Sequence, residues 1–142
     1  MSFSESFIQI ALFSKKLLSH FGEKYNITHQ QIILLNNIPA LDGISVSRLS
    51  RRLGVDISTL SRNLKIMEEK KLTTKSKCVN DRRIYRVFIT KRAETIISQV
   101  LNDYDLSISK ILDSLQISTS SSFTQNIENI SWELYKLTND EK

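Results

Sequence analysis

Ser58, Thr59, Ser61, Arg62 and Lys65 fall within eight residues and share hydroxyl or cationic chemistry, with no carboxylate among them until Glu68 and Glu69. On a helix running from Ile57 to about Lys70 they face outward. Ile57, Leu60, Leu64 and Met67 recur at steps of three, four and three and make one apolar stripe behind them. Hydroxyls bond phosphates or base edges, a guanidinium reads guanine, and short side chains let a backbone approach closely. Entry into a DNA major groove needs those properties. The same pattern also describes an amphipathic surface helix with solvated charge.

The neighbouring residues supply what would position such a helix. Ser45 can cap a short helix over Val46 to Leu53, and Gly54 stands where a left-handed residue closes it. Asp56 then offers an N-cap carboxylate to the helix that begins at Ile57. Asp42-Gly43 reads as a turn, with Ile44 as a one-residue strand stub. Beyond Leu72, Thr73 to Val79 and Ile84 to Thr90 are rich in Thr, Val, Ile and aromatics around Asn80-Asp81-Arg82-Arg83, which predicts a β-hairpin. In its second strand Tyr85, Val87 and Ile89 alternate toward the core. A hairpin after two such helices is a winged helix, and arginines on its narrow tip can enter a minor groove.

Charge is segregated in the same region. The chain has 142 residues and a net charge of +5. Residues 46–92 hold fourteen Lys and Arg against four acids, or +10, which leaves −5 for the rest. A basic middle with acidic flanks is the footprint of a polyanion site. The length fits a single domain over 1–142, and three Gly with one Pro favour a mainly helical fold. No stretch is apolar enough to span a membrane, and the N-terminus lacks the charge order of a secretory signal. The single cysteine, Cys78, permits no internal disulfide, so a cytoplasmic location is expected. An enzyme is disfavoured. The chain has no Gly-rich phosphate loop, no metal-binding helix motif and no His-Cys dyad, so neither a metal nor a cofactor is expected. His20 and His29 read as surface or cap residues.

The flanks supply helices with excess apolar surface. Residues 4–21 read as a helix with Phe7, Ile8, Ala11, Leu12, Leu18 and Phe21 on one side, and Phe3, Ile10 and Leu17 on a second. A central core helix or one that packs on a partner chain both satisfy this pattern. Gly22 ends it. Thr28 and Gln31 form a capping box for a helix from His29 to about Ile38, which Pro39 stops. Thr90 can cap a long helix from Lys91 to about Leu115, and residues 118–122 read as a loop. The last helix carries Phe123, Ile127, Ile130, Leu134 and Leu137 at alternating four and three, a narrow seam of two heptads.

The order of a T-x-x-Q helix, S-V-S-R-L-S-R-R-L-G-V, S-T-L-S-R-N-L-K-I-M-E and N-D-R-R before a strand ending I-T resembles the MarR (multiple antibiotic resistance regulator) family of bacterial transcription factors. The resemblance covers about Thr28 to Ala93 by motif. It implies a mainly α fold with a small β-hairpin wing. The winged helix-turn-helix lobe would span 41–90, flanked by dimerisation helices over 1–38 and 91–142. It implies a homodimer on a pseudo-palindromic double-stranded operator, usually a repressor that a small lipophilic or phenolic ligand relieves. By resemblance Ser58, Thr59, Ser61, Arg62 and Lys65 face the groove, and Arg83 is the minor-groove arginine that Asp81 orients. Arg82, Lys75 and Lys77 fall to phosphates, and Ser45 and Ser47 to the DNA backbone. Phe3, Phe7, Phe123, Ile127, Ile130, Leu134 and Leu137 fall to the dimer interface. Phe21, Tyr25, Trp132 and Tyr135 lie in segments that line the effector pocket of relatives. Lys71 and Ala93 depart from the family, which usually has Gly at both positions. If Lys71 is left-handed, the conformation costs about 1 kcal/mol, and Ala93 favours an earlier start for the following helix. Two alternatives stay open: a winged helix that binds protein or RNA without operator specificity, and a regulator that responds to oxidation of Cys78.

Overall fold

Local capping signals decide where the helices begin and end. The computed structural model describes residues 1–77, 80, 85–118 and 121–139. Cys78, Asp81, Arg82 and Arg83 therefore lie outside the described residues, and with them the wing-tip and thiol readings. The elements run α1 (Phe3–Gly22), a 3-10 turn (Glu23–Tyr25), α2 (His29–Asn36), β1 (Ile44–Ser45), α3 (Val46–Leu53), α4 (Ile57–Glu69), β2 (Thr73–Lys77), β3 (Tyr85–Ile89), α5 (Lys91–Ser114) and α6 (Ser121–Asn139). The class is mainly α with a small antiparallel sheet. The chain divides into two compact units, Met1–Tyr104 and Asp105–Lys142.

At the start of α2 the Thr28 hydroxyl accepts from the Gln31 N–H while the Gln31 side chain accepts from the Thr28 N–H, so both halves of the capping box form. Ser45 accepts from the Arg48 N–H at 3.3 Å and caps α3. Gly54, at φ 67°, closes that helix through Gly54 N–H to Arg51 O and Val55 N–H to Ser50 O. The same pair of bonds closes α4, from Lys71 N–H to Glu68 O and from Leu72 N–H to Met67 O. Here the left-handed residue is Lys71, at φ 61°. A Cβ in that conformation is strained, so Lys71→Gly is expected to stabilise the fold by about 1 kcal/mol. Thermal unfolding would read this as a rise of about 3–5 °C. An unchanged midpoint would show that the strain is relieved elsewhere.

The hairpin becomes a three-stranded sheet of order β1-β3-β2, because Ile44 pairs with Val87 and Ser45 with Arg86. Gly43, at φ 62°, makes the turn into β1 possible; a Cβ there would lie 2.5 Å from the Val87 carbonyl oxygen. Thr90 joins wing to scaffold. Its hydroxyl donates to Lys71 O at 2.8 Å and accepts from the Ala93 N–H at 3.2 Å, capping α5.

The core of the first unit gathers Ile32 and Leu35 of α2, Leu49 of α3, Leu60 and Met67 of α4, Val87 of β3, and Ala93 and Val100 of α5. Leu18 and Phe21 at the end of α1 pack against it. Polar contacts also hold α1 and the 3-10 turn to α5: Ser14 Oγ to Tyr104 OH at 2.8 Å, the Tyr25 hydroxyl to Gln99 at 2.5 Å, and Lys24 to Asp103 at 3.2 Å. One expectation fails. Ile57 does not complete the buried stripe of α4 but is 53% exposed, because the core reaches the helix only from Leu60 onward.

Candidate nucleic-acid interface

Burying Leu60, Leu64 and Met67 fixes the rotation of α4 about its axis. Ser58, Ser61, Arg62 and Lys65 are then exposed, and Thr59 sits half-buried at the flank. α3 and the wing frame this face. A cleft of about 390 Å³ runs between them, lined by Val46 and Ser47 of α3, Ile57, Ser61 and Leu64 of α4, and Lys75 and Tyr85 of the sheet. The fold therefore brings Ser47, Ser61 and Lys75 together. Lys77 is exposed, and both lysines lie over the Tyr85 ring, with Nζ at 5.1 Å for Lys75 and 5.8 Å for Lys77 from its centroid. Such cation–π contacts hold ammonium groups in place without neutralising them.

Asp56 behaves differently from the expected cap. It occupies the N-cap position of α4, yet its carboxylate makes no side-chain capping bond. Instead Oδ2 accepts from the Ser58 hydroxyl at 2.5 Å and Oδ1 from the Thr59 hydroxyl at 2.9 Å. Thr59 Oγ1 in turn accepts from Arg62 Nη2 at 3.3 Å. These hydroxyls, Ser58 first and then Thr59, hold the Asp56 carboxyl below the usual carboxylate range. Three of the five groove-facing candidates thus belong to one network built on a negative charge.

Ser45 is committed to capping α3, and its hydroxyl stands 3.5 Å from that of Ser47. Several cations of the basic third also hold the fold. Arg86 donates to the carbonyls of Asp42 and Gly43, Lys70 to that of Asn26, and Arg52 to that of Asn37. Counting charges along the sequence cannot separate these from cations directed at a partner. The reading of the sequence assigned Ile57 to the buried stripe and Tyr85 to the core side of the strand, whereas both line this cleft. An exposed β-branched residue on the first turn of a groove-facing helix, beside an aromatic wing residue, is the signal that distinguishes them.

The apolar seam of α6 is uncovered, and that helix has no buried residue. Leu137 is 72% exposed, and Ile127, Ile130 and Leu134 also face solvent, while Phe123 is half-buried. On α1, Phe3 and Phe7 stack at 5.7 Å and are exposed, as are Ile8, Ile10 and Phe13. Among the aromatics suggested for an effector pocket, Phe21 and Tyr25 pack on the core, and Trp132 stacks on Tyr135 at 5.3 Å. An open surface hollow of about 540 Å³ lies in the first unit beside Leu35, Ile38, Ile89 and Ile97, with Lys91 and Glu94 at its wall. No group of residues among those described has the makings of a metal site, and no helix of the described residues is long and apolar enough to cross a membrane.

Residues 27–85 match the model of the MarR family. Over the full chain the fold is similar to three solved structures. The first is apo MarR from E. coli, at TM-score 0.75 and 19% identity, covering 94% of this chain and 96% of that one. The second is MepR from S. aureus in complex with DNA, at TM-score 0.72 and 20% identity over 94% and 97%. The third is NadR with 4-hydroxyphenylacetate, at TM-score 0.78 and 18% identity over 96% and 94%. At these identities the likeness establishes the winged-helix fold.

Proposed function

Residues 27–85 form a MarR-family domain, and from that premise we propose that two copies of this chain bind a pseudo-palindromic double-stranded DNA operator as a transcription regulator. The observation that carries this reading is the outward face of α4. Ser58, Ser61, Arg62 and Lys65 are exposed on a helix whose opposite side is fixed in the core. Arg62 reads a base edge, and Ser61 with Ser47 and Lys75 follows the phosphates along the cleft. Ile57 lies where a thymine methyl would meet an apolar side chain. At the wing, Arg83 enters the minor groove, Asp81 orients it and Arg82 meets a phosphate, as their places in the motif imply. The exposed seams of α1 and α6 join the two copies.

A repressor relieved by a small ligand fits the same framework. Similar folds have been solved with DNA and with a phenolic acid. A protein acting on operators works in the cytoplasm.

Two substitutions separate base reading from phosphate contact. Arg62→Ala is expected to weaken binding by about 1–3 kcal/mol and to relax base choice at its step. Lys75→Ala is expected to weaken all sequences alike and to lower the salt slope of log K by about 1. Titrating both variants against preferred and scrambled duplexes over a range of salt concentrations would read these effects. An Arg62→Ala protein with intact sequence preference would remove that residue from the reading surface.

A further inference from the structure

We propose that Asp56 sets the hydrogen-bond polarity of Ser58, so that Ser58 reads the exocyclic amino groups of adenine and cytosine and not the acceptors of guanine and thymine. This rests on the DNA reading above and names a rule of recognition within it.

A serine hydroxyl has one proton to donate and lone pairs to accept with. Left alone it rotates to suit either kind of partner, which makes it a poor discriminator. Here the Ser58 proton is directed to Asp56 Oδ2 at 2.5 Å. The exposed side of Ser58 is therefore an acceptor only. In the major groove the donors are adenine N6 and cytosine N4, while guanine O6 and N7 and thymine O4 only accept. Every base pair presents one amino group in the major groove, so the orientation of the pair is what Ser58 selects: A·T over T·A, and C·G over G·C, at the step beneath it. A guanine or thymine oxygen placed there would meet lone pairs with no proton between them.

Thr59 shows that the arrangement is a relay and not a chance contact. Its proton goes to Asp56 Oδ1, and its lone pair takes a proton from Arg62. The carboxylate therefore leaves Ser58 an acceptor and, through Thr59, orients Arg62, a donor in any setting, so that the two have opposite preferences on adjacent turns of one helix. Both carboxylate oxygens of Asp56 are engaged by these side chains.

The test is in vitro selection from a random duplex pool by the wild type and by Ser58→Ala, Asp56→Asn and Asp56→Ser. Asn and Ser are both good N-cap residues, so α4 keeps its start. Neither offers the two acceptor oxygens, one for Ser58 and one for Thr59, that the carboxylate supplies. Ser58→Ala identifies the step beneath Ser58 as the position whose preference it abolishes. The wild type is expected to favour amino-bearing orientations there by about tenfold, and both Asp56 variants are expected to lose that preference at the same step. A selective wild type whose motif survives both Asp56 substitutions overturns this inference alone. So does a uniform loss of affinity with no change at that step, which is what a purely structural role gives. A wild type that selects no motif overturns the DNA reading, and this inference with it.

Discussion

The double substitution Ile130→Glu, Leu134→Glu is expected to give a folded single chain that binds duplex DNA about 10²–10⁴-fold more weakly than the wild type. Both residues are exposed on α6, a helix with no buried residue, so glutamates there disturb the fold of one chain little. Between two copies the same glutamates would be desolvated against an apolar seam, and an unpaired charge in that position costs several kcal/mol. Once the chains separate, the second lobe no longer reaches its half-site at the high effective concentration that linkage supplies. Sedimentation velocity reads the first effect and a binding titration the second. A variant that stays a dimer with unchanged affinity would place the contact between copies elsewhere, with the exposed Phe3 and Phe7 of α1 as the next candidates.

Leu60→Ala is expected to destabilise the first unit by about 2–5 kcal/mol. Leu60 is 1% exposed and is the first of the three residues by which α4 enters the core. Total stabilities of about 5–15 kcal/mol leave little margin for such a loss. Ile57→Ala, three residues earlier, is expected to change stability by no more than about 0.5 kcal/mol, because its side chain is largely in solvent. Its effect falls instead on DNA affinity. Denaturant melts of the two variants compare them directly. Equal costs would mean that Ile57 is packed in solution.

That pair marks the boundary of what the sequence reveals. Caps and chain reversals depend on a few adjacent residues, so the Thr28–Gln31 box, Ser45 and Gly54 are all legible, whereas left-handed Lys71 was signalled only by the Gly that the family usually has there. Also legible are the starts of α4 at Ile57 and of α5 at Lys91, and the presence of the hairpin, while its register, Thr73 opposite Ile89, is set by pairing that no local pattern reports. Burial depends on what arrives from elsewhere in the chain. Ile57 shares the period of Leu60, Leu64 and Met67, but the core reaches α4 only from Leu60 onward, and no local pattern reports that. The partners of polar side chains are hidden in the same way. Asp56 is legible as a cap by position, yet its carboxylate is taken by the hydroxyls of Ser58 and Thr59. Arg52, Lys70 and Arg86 count toward the basic third and also brace the fold through distant carbonyls.

The candidate surface was legible as a composition, a short-polar and basic helix face beside a basic hairpin. Its internal organisation was not. The cleft that brings Ser47, Ser61 and Lys75 together draws on three elements, and only their packing sets their spacing. The exposed seams of α1 and α6 are legible in the opposite sense: the sequence shows more apolar surface than one small domain buries, and the structure leaves that surface uncovered.

The most direct measurement is the composition of the complex formed with a duplex selected from a random pool, taken by native mass spectrometry beside the selected sequence. Two chains on one duplex are predicted, bound to a two-fold symmetric sequence whose half-sites are centred about 34–36 Å apart, one turn of DNA. A single chain on the duplex, or a pool from which no sequence is enriched at low salt, would contradict it.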